Sequence, residues 1–306
     1  MKTSPFFKQA DLVVQLIPVV NAETCFALKG GTAINFFVRN FPRLSVDIDL
    51  VYVPVEDRAT TLRGINAALQ RMADKIRRSM PTAQVTERKL AGQNIVVKLT
   101  VRVPNVGEVK IEPNTVLRGV VHPTTELTLV SRAVEVFGRS AAIRTLSLAE
   151  LYGGKLCAAL DRQHPRDLFD VHGLFQAEGI TDEIRRAFVI FLASHDRPMS
   201  ELLNPNRQNM QQIFADQFEG MTLDQVPLAA LEIARERLIE KINRDLTNAE
   251  REFLLSMKQL APRWDLLGIP GLERLPGLQW KLYNLRKMDP AKRLAAEQLL
   301  RRKLRL

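Results

Sequence analysis

Apolar positions along the chain change their spacing twice, and the changes divide it into a mixed first part and a helical second part. Residues 11–22 carry apolar side chains at helical spacing, and 24–28 form a short apolar run that predicts a strand. A turn at Gly30-Gly31-Thr32 follows, then an apolar segment at 33–38 that predicts a helix and a second apolar run at 46–53 that predicts another strand. Over 57–80, Leu62, Ile65, Leu69, Met72 and Ile76 recur at the spacing of one helical face, with Pro81 just beyond the end. Three strands are predicted at 83–90, 94–103 and 106–111, the last two as a hairpin, and further short strands within 130–146.

From Ser147 onward the pattern is helical. Ser147 and Glu150 have the spacing of a capping box ahead of a helix over 148–160, and Pro165 suits the first turn of the next. Helices are predicted at 182–193, 206–218, 228–246 and 248–260, a Pro/Gly-rich loop or hinge at 267–277, and a last helix at 290–306. The expected fold is α/β: a mixed sheet with flanking helices at 1–146, and a helical domain at 147–306 that closes the cleft.

Composition narrows the class. No apolar run approaches the roughly 20 residues that cross a bilayer, so no membrane is expected, and Asp11 interrupts the only candidate for a secretory signal. Cys25 and Cys157 lie far apart in apolar segments, as free thiols of a reducing cytoplasm do. The chain holds 44 Lys+Arg against 34 Asp+Glu, a net charge of +10. That balance suits a polyanionic partner, or is a basic surface without one. Aromatics at 6% argue against an extended platform for stacking bases, so phosphate contacts would carry any nucleic-acid affinity. Residues 287–306 hold seven Lys/Arg against Asp289 and Glu297, a surface for RNA phosphates or simply a solvated helix face. His122, His164, His172 and His195 lack zinc spacing, and no Ser-His-Asp order, Cys-x-x-Cys pair or Walker lysine is present.

Two stretches carry chemistry. Glycines directly after a strand let backbone N–H groups approach an anion, and the helix that follows turns its positive end the same way. Asp47 and Asp49, spaced i, i+2 on a strand, share a face, and carboxylates so placed need a cation between them, a divalent metal bridging to a triphosphate on the glycine turn. Glu112 shares one strand face with Lys110, on the plain reading as a solvated strand end. In the second stretch Lys155 is the single charge on an apolar helical run, either snorkelling or reaching a phosphate. Asp167 and Asp170 follow at i, i+3, with Arg162 and Arg166, as a structural ion-pair cluster or part of the site.

Gly-Gly-Thr, a helix and Ser-x-Asp-x-Asp, here Gly30-Gly31-Thr32 and Ser45-x-Asp47-x-Asp49, resemble the signature of the polymerase-β-like nucleotidyltransferases. The later Lys155 and Arg166-Asp167-x-x-Asp170 resemble the second signature of the AbiEii/AbiGii-type toxins, MenT-like enzymes included. The resemblance spans residues 26–175. It implies a nucleotidyltransferase toxin of a bacterial toxin–antitoxin, abortive-infection or antiviral defence system, with Mg²⁺ or Mn²⁺ on Asp47 and Asp49 and a nucleoside triphosphate as substrate. Lys155 and Asp167 would serve the nucleotide site, Asp170 and Arg166 would support them, Lys29, Ser45 and the glycine turn would complete it, and Glu112 would be the third acid, to orient metals or take a proton. The implied acceptor is RNA, the tRNA 3′ end, so that translation is blocked; the implied partner is an antitoxin with a DNA-binding winged helix. Transfer to a small molecule such as an antibiotic, phosphoryl transfer at the same site, and a non-catalytic RNA-binding protein remain alternatives.

Overall fold

The computed structural model describes residues 2–306 and divides into two compact units. The first takes in the chain up to Ser147 and then Glu219–Gln225; the second is Leu148–Phe218 with Val226–Leu306.

The first unit is built on a seven-stranded mixed sheet. Its strands are β1 (Phe26–Lys29), β2 (Ile48–Tyr52), β3 (Gln84–Lys89), β4 (Val96–Val103), β5 (Gly107–Pro113), β6 (Thr125–Thr128) and β7 (Ala142–Thr145), in the order β3-β4-β5-β2-β1-β7-β6. β2 is the middle strand, antiparallel to β1 and parallel to β5. Burial on both faces explains why its sequence, IDLVY, is apolar apart from Asp49. Helix α1 (Phe7–Asn21) is apolar almost all round and loses Leu12, Leu16 and Ile17 into the core. The short α2 (Gly30–Thr32) continues as a π-helical stretch over Ala33–Val38, a widened turn of the kind often found at functional sites. Helix α3 (Arg58–Ser79) is capped by the Asp57 carboxylate, which accepts from the N–H groups of Ala59 and Thr60, and buries Leu62, Ile65, Leu69, Met72 and Ile76.

Two readings of the sequence need correction here. Within 130–146 only β7 is a strand; Ser131–Phe137 is helix α4, because Ala133 and Phe137 are buried one turn apart and Gly138, at φ +65°, ends it in the left-handed region. Strand β6 was not expected, since TELT is mostly exposed and pairs at the sheet edge with β7 alone. The return segment Glu219–Gln225 is held by Leu44 N–H to the Met221 carbonyl (2.8 Å) and Leu223 N–H to the Pro42 carbonyl (3.0 Å).

The second unit is helical: α5 (Leu148–Arg162), α6 (Pro165–Gln176), α7 (Asp182–Ser194), α8 (Met199–Leu203), α9 (Gln211–Gln217), α10 (Leu228–Asp245), α11 (Asn248–Lys258), α12 (Pro276–Lys287) and α13 (Pro290–Leu304). Helices α5 and α7 pack closely at Gly153, where a Cβ would lie 2.8 Å from the Ala187 backbone carbon. The helix predicted at 206–218 shrinks to α9, because Gln163 ties down the Asn206 carbonyl and the Gln208 N–H in non-helical form. The loop predicted at 267–277 gives way at Pro276, in the first turn of α12, a helix the sequence reading did not contain. No helix among the described residues is long and apolar enough to cross a membrane.

Candidate active site

In the first unit the site begins where β1 ends. Gly30 adopts φ +73°, which side chains other than hydrogen rarely allow, and a Cβ there would fall 2.6 Å from the Asp49 carboxylate oxygen Oδ2. The Asp49 carboxylate therefore lies directly against the glycine turn. Strand pairing adds its neighbours: Asp49 stands opposite Lys29 on β1 and opposite Glu112 on β5. Directly paired residues share a face of the sheet, so a lysine and two carboxylates form one row across three strands.

Asp47 sits one residue before β2 begins, so strand alternation applies to Asp49 and not to both acids. What places Asp47 is a hydrogen bond to its backbone. The Thr32 hydroxyl donates to the Asp47 carbonyl (2.5 Å) and shares a second hydrogen bond with the Ser45 hydroxyl (2.9 Å). Thr32 and Ser45, expected to face nucleotide, are thus buried and join the turn to the strand that brings the acids. Both Asp47 and Asp49 are half-buried.

Two contacts here were not foreseen. The Lys98 ammonium lies 2.6 Å from Glu112, so the expected third acid already has a cation. Arg43, 2% exposed, sits behind the turn: a Cβ on Gly31 would come within 2.5 Å of its Nη2, and its Nη1 donates to the Leu44 carbonyl (2.8 Å). Its signal was an arginine between Pro42 and Leu44 in an otherwise apolar stretch. Among the described residues no three His, Cys, Asp or Glu side chains gather as a metal site. The hard Asp49 carboxylate beside a backbone turn, with Asp47 two residues before it, nevertheless suits Mg²⁺, which keeps waters and binds through one or two carboxylates together with substrate phosphates.

The second unit holds the other sequence-predicted group. The Lys155 ammonium is 2.8 Å from Asp167 and 2.9 Å from Asp170, all three buried, and Arg162 reaches Asp167 from solvent at 2.5 Å. One helix turn brings both acids to the same amine, as their i, i+3 spacing requires. Burial alone would raise the Asp167 carboxyl, but Lys155 and Arg162 outweigh it and hold the group well below the usual carboxylate range. Lys155 and Arg162 thus face the two carboxyl groups of Asp167 and Asp170. His164 caps α6, its Nδ1 accepting from the Arg166 N–H (3.1 Å), and its Nε2 lies 3.2 Å from Gln217. Burial first, then Arg166, pushes this imidazole down to about 4. The Arg166 guanidinium also lies 3.5 Å from His164 Nε2.

Comparison with known proteins adds two findings. The family described as "Nucleotidyl transferase AbiEii toxin, Type IV TA system" matches residues 11–281. Among solved structures the chain is similar to MenT4, a nucleotidyltransferase toxin from Mycobacterium tuberculosis H37Rv, with a TM-score of 0.57 and 18% identity over 90% of this chain and 92% of that one. At that identity the likeness is one of fold. A search of curated proteins finds no match.

Proposed function

This chain belongs to the AbiEii family of nucleotidyltransferase toxins of type IV toxin–antitoxin systems, and we propose that it transfers a nucleotide from a nucleoside triphosphate to the 3′ end of an RNA, a tRNA above all, and so blocks translation. Family membership implies the triphosphate and a cognate antitoxin; that the antitoxin carries a DNA-binding winged helix is part of the proposal.

The observation that carries the reading is the Asp49 carboxylate lying against Gly30, in a row with Lys29 and Glu112. Backbone N–H groups at Gly30 and Gly31, which carry no side chains of their own, bind the triphosphate oxygens. Lys29 offsets part of their charge. Asp47 and Asp49 would hold the divalent cation, Mg²⁺ or Mn²⁺, which when bound makes the acceptor hydroxyl more acidic and neutralises the pyrophosphate. The acceptor oxygen forms its bond to the α-phosphorus as the bond to the β-phosphate oxygen breaks, and pyrophosphate leaves. Glu112, oriented by Lys98, takes the hydroxyl proton. Lys155 and Asp167 belong to the reading as the pair the family resemblance assigns to the nucleotide. Each also has a second partner, Asp170 for Lys155 and Arg162 for Asp167, so the pair stands in a buried network of charges.

Such chemistry rests on positioning and charge stabilisation, so removing one carboxylate removes turnover and spares the fold. Incubation with Mg²⁺, each α-labelled nucleoside triphosphate and total RNA tests this. Label is expected on tRNA with the wild-type protein. With Asp47→Ala, whose circular dichroism should match wild type, incorporation falls by at least about a hundredfold. Undiminished transfer by that variant removes Asp47 from the site. Label on a small molecule, or transfer of the γ-phosphate instead, replaces the proposed reaction.

A further inference from the structure

Helix α12 carries the only aromatic residues among the large, exposed apolar side chains of the described residues. These are Trp280, 40% exposed, and Tyr283, 45% exposed. Their rings stack on each other, centroids 5.4 Å apart and planes 22° apart, and the Lys287 ammonium lies 4.2 Å from the Tyr283 ring centroid. Positions 280, 283 and 287 fall on one helical face. The opposite face is fixed. Leu278, Leu282 and Leu285 are buried, and the Lys281 ammonium donates to the carbonyls of His195, Asp196 and Arg197, just past the end of α7. The anchored helix thus presents two stacked, partly exposed rings, although burying them further would be favourable.

The surroundings indicate what covers them. Gln279, Asn284, Arg286 and Lys287 are exposed beside the rings, and residues 273–293 hold six Lys/Arg against Glu273 and Asp289. The Asp289 carboxylate is engaged at the start of α13, accepting from the Lys292 N–H (2.9 Å). Protein interfaces are depleted in lysine; rings flanked by cations match a base and its phosphate. A duplex hides its base faces, so the nucleotide must be unpaired.

We infer that the Trp280–Tyr283 face of α12 is a landing place for an unpaired nucleotide of RNA, its base stacked on the rings and its phosphate on Lys287 and Arg286. This rests on the reading that the acceptor is RNA. The surface is too small for the extended platform that the composition disfavoured; it holds one or two bases.

The test is fluorescence anisotropy of the full-length protein with a short, unstructured labelled RNA, and separately with the same RNA as a duplex. Trp280→Ala and Tyr283→Ala are each expected to weaken binding of the single strand about tenfold, with duplex binding unchanged, while Trp280→Phe keeps most of the affinity. Titration with the single strand should quench the exposed Trp280, leaving Trp264, packed on Phe253, as the residual emission. Unchanged single-strand affinity in the double alanine variant, or equal losses for strand and duplex, overturns the inference. Transfer of label to RNA is scored apart from binding. Transfer by wild type with ring-independent affinity sinks this surface and leaves the reaction standing, whereas ring-dependent binding without transfer upholds the surface and sinks the proposed acceptor.

Discussion

Single residues carry the site through what they leave out as much as through what they supply. Gly30 is required twice, by its positive φ and by the Asp49 carboxylate where its side chain would be. Gly30→Ala should therefore displace Asp49 and reduce turnover by about a hundredfold or more, with a local conformational penalty of roughly 1–2 kcal/mol. Transfer kinetics and thermal melting check the two separately; full activity in Gly30→Ala would place the triphosphate elsewhere. Gly31 answers to Arg43 in the same way. The glycine turn and the strand position of Asp49 were legible in the sequence because turn and strand chemistry is local, whereas Asp47 lies ahead of β2 and is placed by the Thr32 hydroxyl. Arg43 and Lys98 were not, because each acts on a residue reached only by folding: Gly31 lies twelve positions from Arg43, and Glu112 lies across a strand pair from Lys98.

At the scale of elements, the strongest periodicities translated well. Helix α3 and the β4–β5 hairpin follow from apolar spacing that the core then uses. The misses share a cause. Helix α12 starts inside a Pro/Gly-rich stretch whose composition signals a loop, and only its packing against α7 makes Pro276 a first-turn proline. That packing has a polar component in Lys281, buried with its amine on three carbonyls. Lys281→Met keeps the stem but leaves those carbonyls without their donor, so it should destabilise the fold by roughly 1–3 kcal/mol. Denaturant unfolding measures it, and an unchanged midpoint would show that water replaces the amine at no cost.

For the molecule as a whole, stability should depend on acid in two separate windows, because His164 and Asp167 are shifted in the same direction from different starting points. Unfolded His164 binds a proton near 6.5, whereas the folded residue, buried and beside Arg166, does so only near about 4. Unfolding therefore takes up a proton across this interval, and stability falls as pH drops from 6.5 towards 4. Asp167, held low by Lys155 and Arg162 against the effect of burial, contributes fully above the ordinary carboxylate range and loses its share only at lower pH. Thermal melting of wild type should show the upper window, worth roughly 1–2 kcal/mol after allowance for solvent screening. His164→Asn, which keeps a capping oxygen but does not titrate, should flatten it. An identical slope in that variant would assign the window to another group.

The order of chemical groups along the chain was settled by sequence alone: a glycine turn, a spaced pair of acids, a lone lysine and an acidic pair one helical turn apart. So was the α/β class, since apolar spacing and turn residues act over a few positions. Tertiary structure decided everything that depends on distance through space. It set Asp49 against Gly30 and gave Glu112 its lysine. It turned Thr32 and Ser45 inward, neutralised Lys155, and left Trp280 and Tyr283 facing water. Contacts between residues far apart in sequence exist only once burial has fixed which strands and helices are neighbours, and no local pattern encodes that.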